Sequence, residues 1–242
     1  MTIPFHKGHY TARFAVSARD VGVCQRLRHQ CFFGRPGVDA DRFDLLCRHL
    51  MIENEAGRLV ATVRLFEMAS GAALSCGYAA QYYDLRGLAA IGSPMIEIGR
   101  FCVAADVLDA DVLRVAWGHL TQLVDRQHVG LLFGCTSFAG TDAAPYGQAF
   151  AQLARCHLGP DTLRPGMKAC ETVRFAQMDH AGTTPMPSLL RTYLAMGGWV
   201  GDHAVIDRSL NTMHVFTCLE VAKVPPARAR ALRALAQDAP LS

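Results

Sequence analysis

Six charged side chains in the first hundred residues stand at spacings that can do chemistry. Phe32 follows Arg28 by four, Asp44 follows Asp41 by three, Arg64 lies within an apolar run, and Arg100 follows Glu97 by three. A charge placed among hydrophobic residues must be paired or used, because burying it alone is costly. Three arginines and three carboxylates interleaved with apolar segments therefore read as a pocket network rather than a solvated face. Glu97 has two readings from the residue alone: a general base whose carboxyl is tuned by partial burial, or the partner of an arginine. Arg100 falls on the opposite face of an ideal strand from Glu97, since side chains alternate, and a bulge would bring both to one face.

The elements that must position these groups follow from periodicity. Tyr10 to Val16 alternates as a strand, and Arg19 to Phe33 carries a helical stripe at Val23, Leu27 and Cys31 that ends at Gly34-Arg35-Pro36-Gly37. Leu50 to Glu53 and Leu59 to Glu67 read as two strands joined by the turn Asn54-Glu55-Ala56-Gly57. Residues 69 to 93 form a connection long enough to suggest function. Met95 to Val103 is a buried strand. Asp109 caps a helix to about Gln127, with Val112, Val115, Ala116, Leu120 and Leu123 inward. Val129 to Cys135 is a continuously apolar strand of the parallel or central kind, and Asp142 to about Leu158 is a helix interrupted near Pro145. Beyond residue 160 the pattern weakens to a short helix, Ser188 to Met196, and a last strand, His214 to Val221. The strand–helix–strand order predicts a right-handed crossover. One domain is expected over residues 1–242, with a core at about 10–160 and a C-terminal extension at about 161–242.

The order R-x3-F, D-x2-D, R, E-x2-R resembles the pattern of acyl-homoserine lactone synthases, relatives of the GNAT acyltransferases. The rest of the chain resembles a sister family more closely, the ornithine N-acyltransferases of ornithine-lipid synthesis. Carrying segments are Asp41-Arg42-Phe43-Asp44, Cys47-Arg48-His49-Leu50, Glu97-Ile98-Gly99-Arg100-Phe101-Cys102-Val103 and Leu132-Phe133-Gly134-Cys135-Thr136-Ser137-Phe138-Ala139-Gly140-Thr141-Asp142. Leu190-Arg191-Thr192-Tyr193-Leu194, Gly197-Gly198-Trp199-Val200-Gly201-Asp202 and Phe216 continue the match.

The resemblance implies an α/β fold, a GNAT-like mixed sheet flanked by helices, with a bulge in the strand of Glu97. It also implies transfer of a 3-hydroxyacyl group from acyl carrier protein to the α-amine of ornithine, giving a lyso-ornithine lipid. No cofactor is implied beyond the 4′-phosphopantetheine that the carrier brings. Glu97 then becomes the base and Arg100 its catalytic companion. Asp41 and Asp44 can hold the ammonium groups of a cationic amino acid or serve as caps and ion-pair partners; one of the pair is expected in the second role, with Asp44 preferred for the site. Arg28 and Arg64 are expected to fix the network, with bidentate capture of the substrate carboxylate as the alternative. Phe32 is expected in the core, with lining of the acyl pocket second. Backbone N–H groups of Phe101, Cys102 and Val103 are placed by the fold as oxyanion donors. The phosphate-binding glycine loop of CoA-using relatives is absent after Val103, where Ala104-Ala105-Asp106-Val107-Leu108 stands.

Amide formation from a thioester needs no covalent enzyme intermediate, and no nucleophile motif is visible. Tyr146 and Cys135 read as packing residues. Half of the 242 residues are hydrophobic, which argues a folded core, and a net charge of +3 is too small to argue nucleic acid. Nine cysteines without C-x2-C pairs, and an N-terminus without a signal pattern, read as reduced thiols in the cytoplasm. The expected partners are acyl carrier protein and an amino acid, with peripheral contact at the inner face of the membrane; Arg228, Arg230 and Arg233 read as a solvated helix face. Rival readings are another amine such as glutamine, a lactone synthase using S-adenosylmethionine, and an acyl-carrier-binding or regulatory module without activity.

Overall fold

The computed structural model describes residues 5–178 and 181–237. In chain order the elements are β1 (Phe5–Lys7), β2 (Tyr10–Phe14), α1 (Ala18–Phe33), β3 (Arg48–Asn54), β4 (Leu59–Met68), β5 (Tyr83–Asp84), β6 (Met95–Val103), α2 (Asp111–Gln127), β7 (Leu131–Ala139), α3 (Gly147–Cys156), β8 (Gly166–Met167), β9 (Thr172–Arg174), α4 (Ser188–Ala195), β10 (Trp199–Asp207), β11 (Thr212–Glu220) and α5 (Pro226–Gln237). They group into two compact units. The first takes residues through Glu67, Ile98–Val129 and the residues from Pro226; the second takes Met68–Glu97 and Gly130–Pro225.

In the first unit, β1 to β4 form an antiparallel meander, with β6 next to β4. Its β3–β4 turn is the expected one: Gly57 adopts φ 72°, its N–H donates to the Asn54 carbonyl (2.8 Å), and the Asn54 side chain accepts from the Arg58 N–H. Ser17 caps α1 by accepting from the Asp20 N–H, and Gly34 ends it at φ 66°. The fully buried positions of α1 are Cys24 and Arg28, one residue along from the expected stripe; Val23 and Leu27 are only partly buried. The face is set by the partners that Arg28 must reach rather than by apolar periodicity alone.

Helix α2 starts at Asp111, with Asp109 contributing a carboxylate that accepts the Asp111 N–H (2.8 Å) rather than standing at the cap position, which is Ala110. All five expected inward residues are buried, joined by Trp117, His119 and Val124. α5 packs on α2: the Gln122 amide donates to the Ala236 carbonyl (2.9 Å) and Arg233 pairs with Asp125. α5 has no buried residue, as the solvated reading of its arginines requires.

His119 stands edge-on to Phe14 (5.1 Å) and Phe5 (6.5 Å). Burial, reinforced by Arg48 and Arg126, pulls its pKa from 6.5 down to about 4. Its ordinary unfolded value lies higher, so the unfolded chain takes up a proton first as pH falls. Stability from this residue is whole above about pH 6.5 and drains as pH drops toward 4. Urea unfolding at pH 7 and pH 5 is expected to show a loss of about 2 kcal/mol in the wild type that His119→Leu lacks. Equal pH dependence in both proteins would refute the assignment.

In the second unit, residues 69 to 93 fold as three short 3-10 segments, Gly71–Cys76, Ala79–Gln81 and Arg86–Leu88, plus β5. β5 pairs antiparallel with β8. The unit's main sheet runs β7-β11-β10-β9, and β7 pairs antiparallel with β11 along nine residues. Residues after 160, expected as an extension, thus supply three of that sheet's four strands. Strand β10 was not legible: its register against β11 shifts between Val200 and Ala204, a bulge at Gly201-Asp202-His203 that breaks the alternation. The helix after β7 divides at Pro145 as expected, into a 3-10 turn (Ala144–Tyr146) and α3. Phe138, Phe150 and Phe175 fill the core beneath, and the Tyr146 hydroxyl donates to the Ala139 carbonyl, the packing role expected of it. No described helix is long and apolar enough to cross a membrane.

Candidate active site

In the first unit, four elements bring the expected ionic residues together. α1 presents Arg28, β4 presents Arg64 and β6 presents Arg100. The segment after α1 supplies Asp39, then a 3-10 turn (Arg42–Leu45) closed by a reciprocal capping box: the Asp41 carboxylate accepts from the Phe43 N–H, and the Asp44 carboxylate accepts from the Asp41 N–H.

Arg28 is 1% exposed and fully engaged. Its Nε donates to Asp39 (2.8 Å), its two terminal nitrogens to Asp44 (2.9 and 3.0 Å), and one of these also to the Asp39 carbonyl. Asp44 further accepts from Arg64 (2.9 Å) and the Gln25 amide (2.8 Å). Burial alone would raise the Asp44 pKa, but the donors Arg28, Arg64 and Gln25 outweigh it and hold the carboxyl well below the usual range. Asp41 accepts from Arg64 (2.6 Å) and Arg100 (3.4 Å).

Exposure separates the three carboxylates: Asp41 is 24% exposed, Asp39 10% and Asp44 6%. The order is the reverse of the expectation that Asp44 is the one free for substrate. Asp44 is saturated by buried donors, and Asp41 is the accessible member. Arg28 and Arg64, both buried, give their donors to these carboxylates. Phe32 is not in the core: it is half-buried, with the Arg100 guanidinium 5.8 Å from its ring centre.

Arg100 itself sits at φ 51°, the left-handed region that non-glycine residues avoid. β6 therefore leaves regular extended geometry there, and the Arg100–Asp39 bond (3.0 Å) holds the side chain against that strained backbone. Beyond it, Phe101 stands edge-on to Trp117, Cys102 is buried, and the Val103 carbonyl accepts from the Cys31 thiol.

Sequence reading missed Asp39, Gln25 and His49. Asp39 lies in a loop with no periodicity, and its two-residue spacing from Asp41 was the available signal. His49 is buried with Nε2 against the Asp44 carbonyl (3.3 Å), and burial lowers its pKa.

In the second unit, Glu97 is 5% exposed beside the buried Met95 and Ile96. One carboxylate oxygen accepts from the Tyr78 N–H (2.8 Å) and the other from the Ala79 N–H (2.6 Å), at the start of the 3-10 turn in the long connection. Its partners there are backbone donors, which cannot rotate away. Gly77 makes the approach possible: a Cβ there would lie 2.5 Å from the Glu97 oxygen and 3.3 Å from the Leu74 carbonyl. Gly77→Ala is expected to displace the carboxylate and speed amide hydrogen exchange at Tyr78 and Ala79 by about tenfold or more. Unchanged exchange at both amides would show that Glu97 does not depend on this glycine.

Around the same turn, Tyr78 and Tyr82 pack 5.4 Å apart and Tyr82 meets His214 at 4.9 Å. The buried Tyr83 hydroxyl donates to the His214 carbonyl (2.8 Å), and burial raises its pKa well above 10. Among the described residues no group of three His, Cys, Asp or Glu is arranged to hold a metal ion.

Residues 26–118 match the family model of the GNAT acetyltransferase domain. The chain is 32% identical over 232 residues to an L-ornithine N(alpha)-acyltransferase of Rhodobacter capsulatus, covering 87% of this chain and 90% of that one. It is 27% identical over 243 residues to an L-ornithine N(alpha)-acyltransferase of Brucella abortus, covering 90% and 86%. Among solved structures it is similar to an N-acyl amino acid synthase from uncultured soil microbes, with a TM-score of 0.48, 12% identity and coverage of 97% and 98%.

Proposed function

The chain belongs to the family of the L-ornithine Nα-acyltransferases, and on that premise we propose that it moves a 3-hydroxyacyl group from acyl carrier protein to the α-amine of ornithine, giving a lyso-ornithine lipid. The observation that carries the chemistry is Glu97, a buried carboxylate fixed through both oxygens by backbone N–H groups. A base so held is already oriented when the amine arrives. The amine nitrogen attacks the thioester carbonyl as its proton passes to Glu97, directly or through water. The C–N bond forms, the C–S bond breaks, and the pantetheine thiolate leaves and takes a proton. Backbone N–H groups of Phe101, Cys102 and Val103 are the proposed donors to the oxyanion.

Arg28, Arg64 and Asp44 satisfy one another and act as framework. Asp41, the most exposed of the three carboxylates, is the proposed reader of the ornithine side-chain ammonium. Asp41→Asn is therefore expected to lower the ratio of kcat/KM for ornithine over glutamine about five- to tenfold, the modest size reflecting partial exposure to water. An unchanged ratio would leave the side-chain charge unread by this carboxylate.

The donor reading draws on the residues after Val103. Asp106 stands where a phosphate-binding loop would need glycines, and it is paired with Arg58 at 2.7 Å through both oxygens. The loop thus offers no run of glycine N–H groups to the phosphates of free CoA, and the Arg58 guanidinium near it is already taken up by Asp106, which favours a carrier-borne pantetheine as the donor. Peripheral contact with the inner face of the membrane is part of the proposal, because the product is an amphiphile. The test is purified protein with carrier protein or CoA bearing the same 3-hydroxyacyl chain and a panel of amines, read by mass spectrometry. Carrier with ornithine is the expected best pair. Equal kcat/KM for both donors at low salt would remove the carrier, and failure to acylate ornithine would remove the acceptor.

A further inference from the structure

The connection of residues 69–93 does more than hold Glu97. In the second unit it walls a cleft of about 480 Å³, whose other side is β8. Leu74, Ala80, Tyr83 and Leu85 form a buried apolar floor, and Met167 stands at the mouth, 43% exposed. The hydroxyl of Tyr83 is turned away onto the His214 carbonyl, so its ring presents carbon to the cleft. The β5–β8 pairing, the Lys168 ammonium on the Ala80 carbonyl (2.5 Å) and the Ala169 N–H on the Tyr82 carbonyl (3.0 Å) tie the two walls together. A second cleft of the same unit, about 350 Å³, sets Ala149, Pro185, Met186 and Leu194 among polar residues such as Gln148 and Arg191, and none of its lining residues belongs to the turn that holds Glu97.

We infer that the cleft walled by residues 71–89 and 167–168 receives the aliphatic chain of the acyl donor and sets the chain length the protein prefers. The inference rests on the acyl-transfer reading above and locates its apolar substrate. Three observations meet there. The floor is apolar and buried, which suits methylenes better than groups that must hydrogen-bond. The turn that fixes the proposed base also walls the cleft: Ala79 gives its N–H to Glu97, and the next residue, Ala80, lines the floor. The lining also carries two exposed cations, Lys168 and Arg86, the latter paired with Asp84, so the charged groups lie apart from the buried apolar floor.

Ala72 and Ala89 line the cleft and are both exposed, so larger side chains there fill it without entering the core. Ala72→Phe and Ala89→Phe, made separately, are expected to lower kcat/KM for a sixteen-carbon donor relative to an eight-carbon donor by about tenfold or more, since each methylene excluded from an apolar pocket is worth a large factor. The eight-carbon donor should be used within about twofold of wild type. Met167→Ala, which widens the mouth, should leave the short donor unaffected and relax discrimination against longer chains. If neither phenylalanine variant changes the long-to-short ratio, the chain lies elsewhere. Titration with cis-parinaric acid, a fluorescent fatty acid, keeps this apart from the enzymatic reading. Wild-type binding weakened about tenfold by Ala72→Phe would support the cleft even in a protein that acylates no amine, and equal binding by both would overturn it.

Discussion

Glu97→Gln is expected to lower kcat by roughly 10²–10⁴ while the protein stays folded. The amide keeps the shape of the carboxylate but cannot take the amine's proton. It also carries an NH2 in place of one acceptor, and both native oxygens face backbone donors, Tyr78 and Ala79. One of those N–H groups therefore meets a donor, and the amide settles by giving up that contact, at a cost of about 1–3 kcal/mol in local stability. Catalytic and local effects separate by measurement. Circular dichroism and thermal unfolding report the fold, amide exchange at Tyr78 and Ala79 reports the lost acceptor, and single-turnover kinetics with loaded carrier protein report the chemical step. A Gln variant within a few-fold of wild type in kcat removes Glu97 as the base, whatever the exchange data show.

Asp44→Asn carries the second large effect, on stability. Asp44 balances two guanidinium groups, Arg28 at 1% and Arg64 at 3% exposure, that have almost no access to water. Breaking a buried pair by neutralising one partner typically costs about 3–5 kcal/mol, because the remaining charge is left uncompensated. The pH dependence follows from the direction of the Asp44 shift. Its folded pKa lies below the ordinary value of 3.8, so its stabilisation is complete above that value and is lost only as pH falls through the lower folded value. Between pH 7 and pH 5, the wild-type and Asn proteins should thus differ by a constant amount; the gap should close only at strongly acid pH. Urea unfolding at pH 7, 5 and 3 measures this. A difference under about 1 kcal/mol at pH 7 would mean that the network relaxes or admits water when Asp44 is neutral.

What the sequence made legible divides by the range of the forces involved. The hairpin at Asn54–Gly57, the ends of α1 and the inner face of α2 depend on residues close in sequence, and each could be read directly. Strand β10 could not, because Gly201-Asp202-His203 bulges out of the pairing and reads as a turn when the partner strand is unknown. The ionic network was legible as a set of residue types, since buried charges announce themselves in apolar surroundings. Its internal ranking was not. Whether Asp41 or Asp44 is accessible depends on how many donors converge from α1 and β4, which only the folded chain decides. Asp39 was missed for the same reason: nothing local distinguishes it, and its part is to join Arg28 to a backbone turned left-handed at Arg100.

The first unit is assembled from three separate stretches of chain, and that has a consequence for biosynthesis. Its closing helix α5 emerges from the ribosome about a hundred residues after α2, with the whole main sheet of the second unit made in between. At ordinary elongation rates of about 5–20 residues per second that interval lasts roughly 5–20 seconds. During it, Gly118, Gln122 and Asp125 on α2 lack the cover that α5 gives them. Nascent chains of this protein therefore carry a first unit without its last helix, none of whose residues is buried, while the second unit is completed.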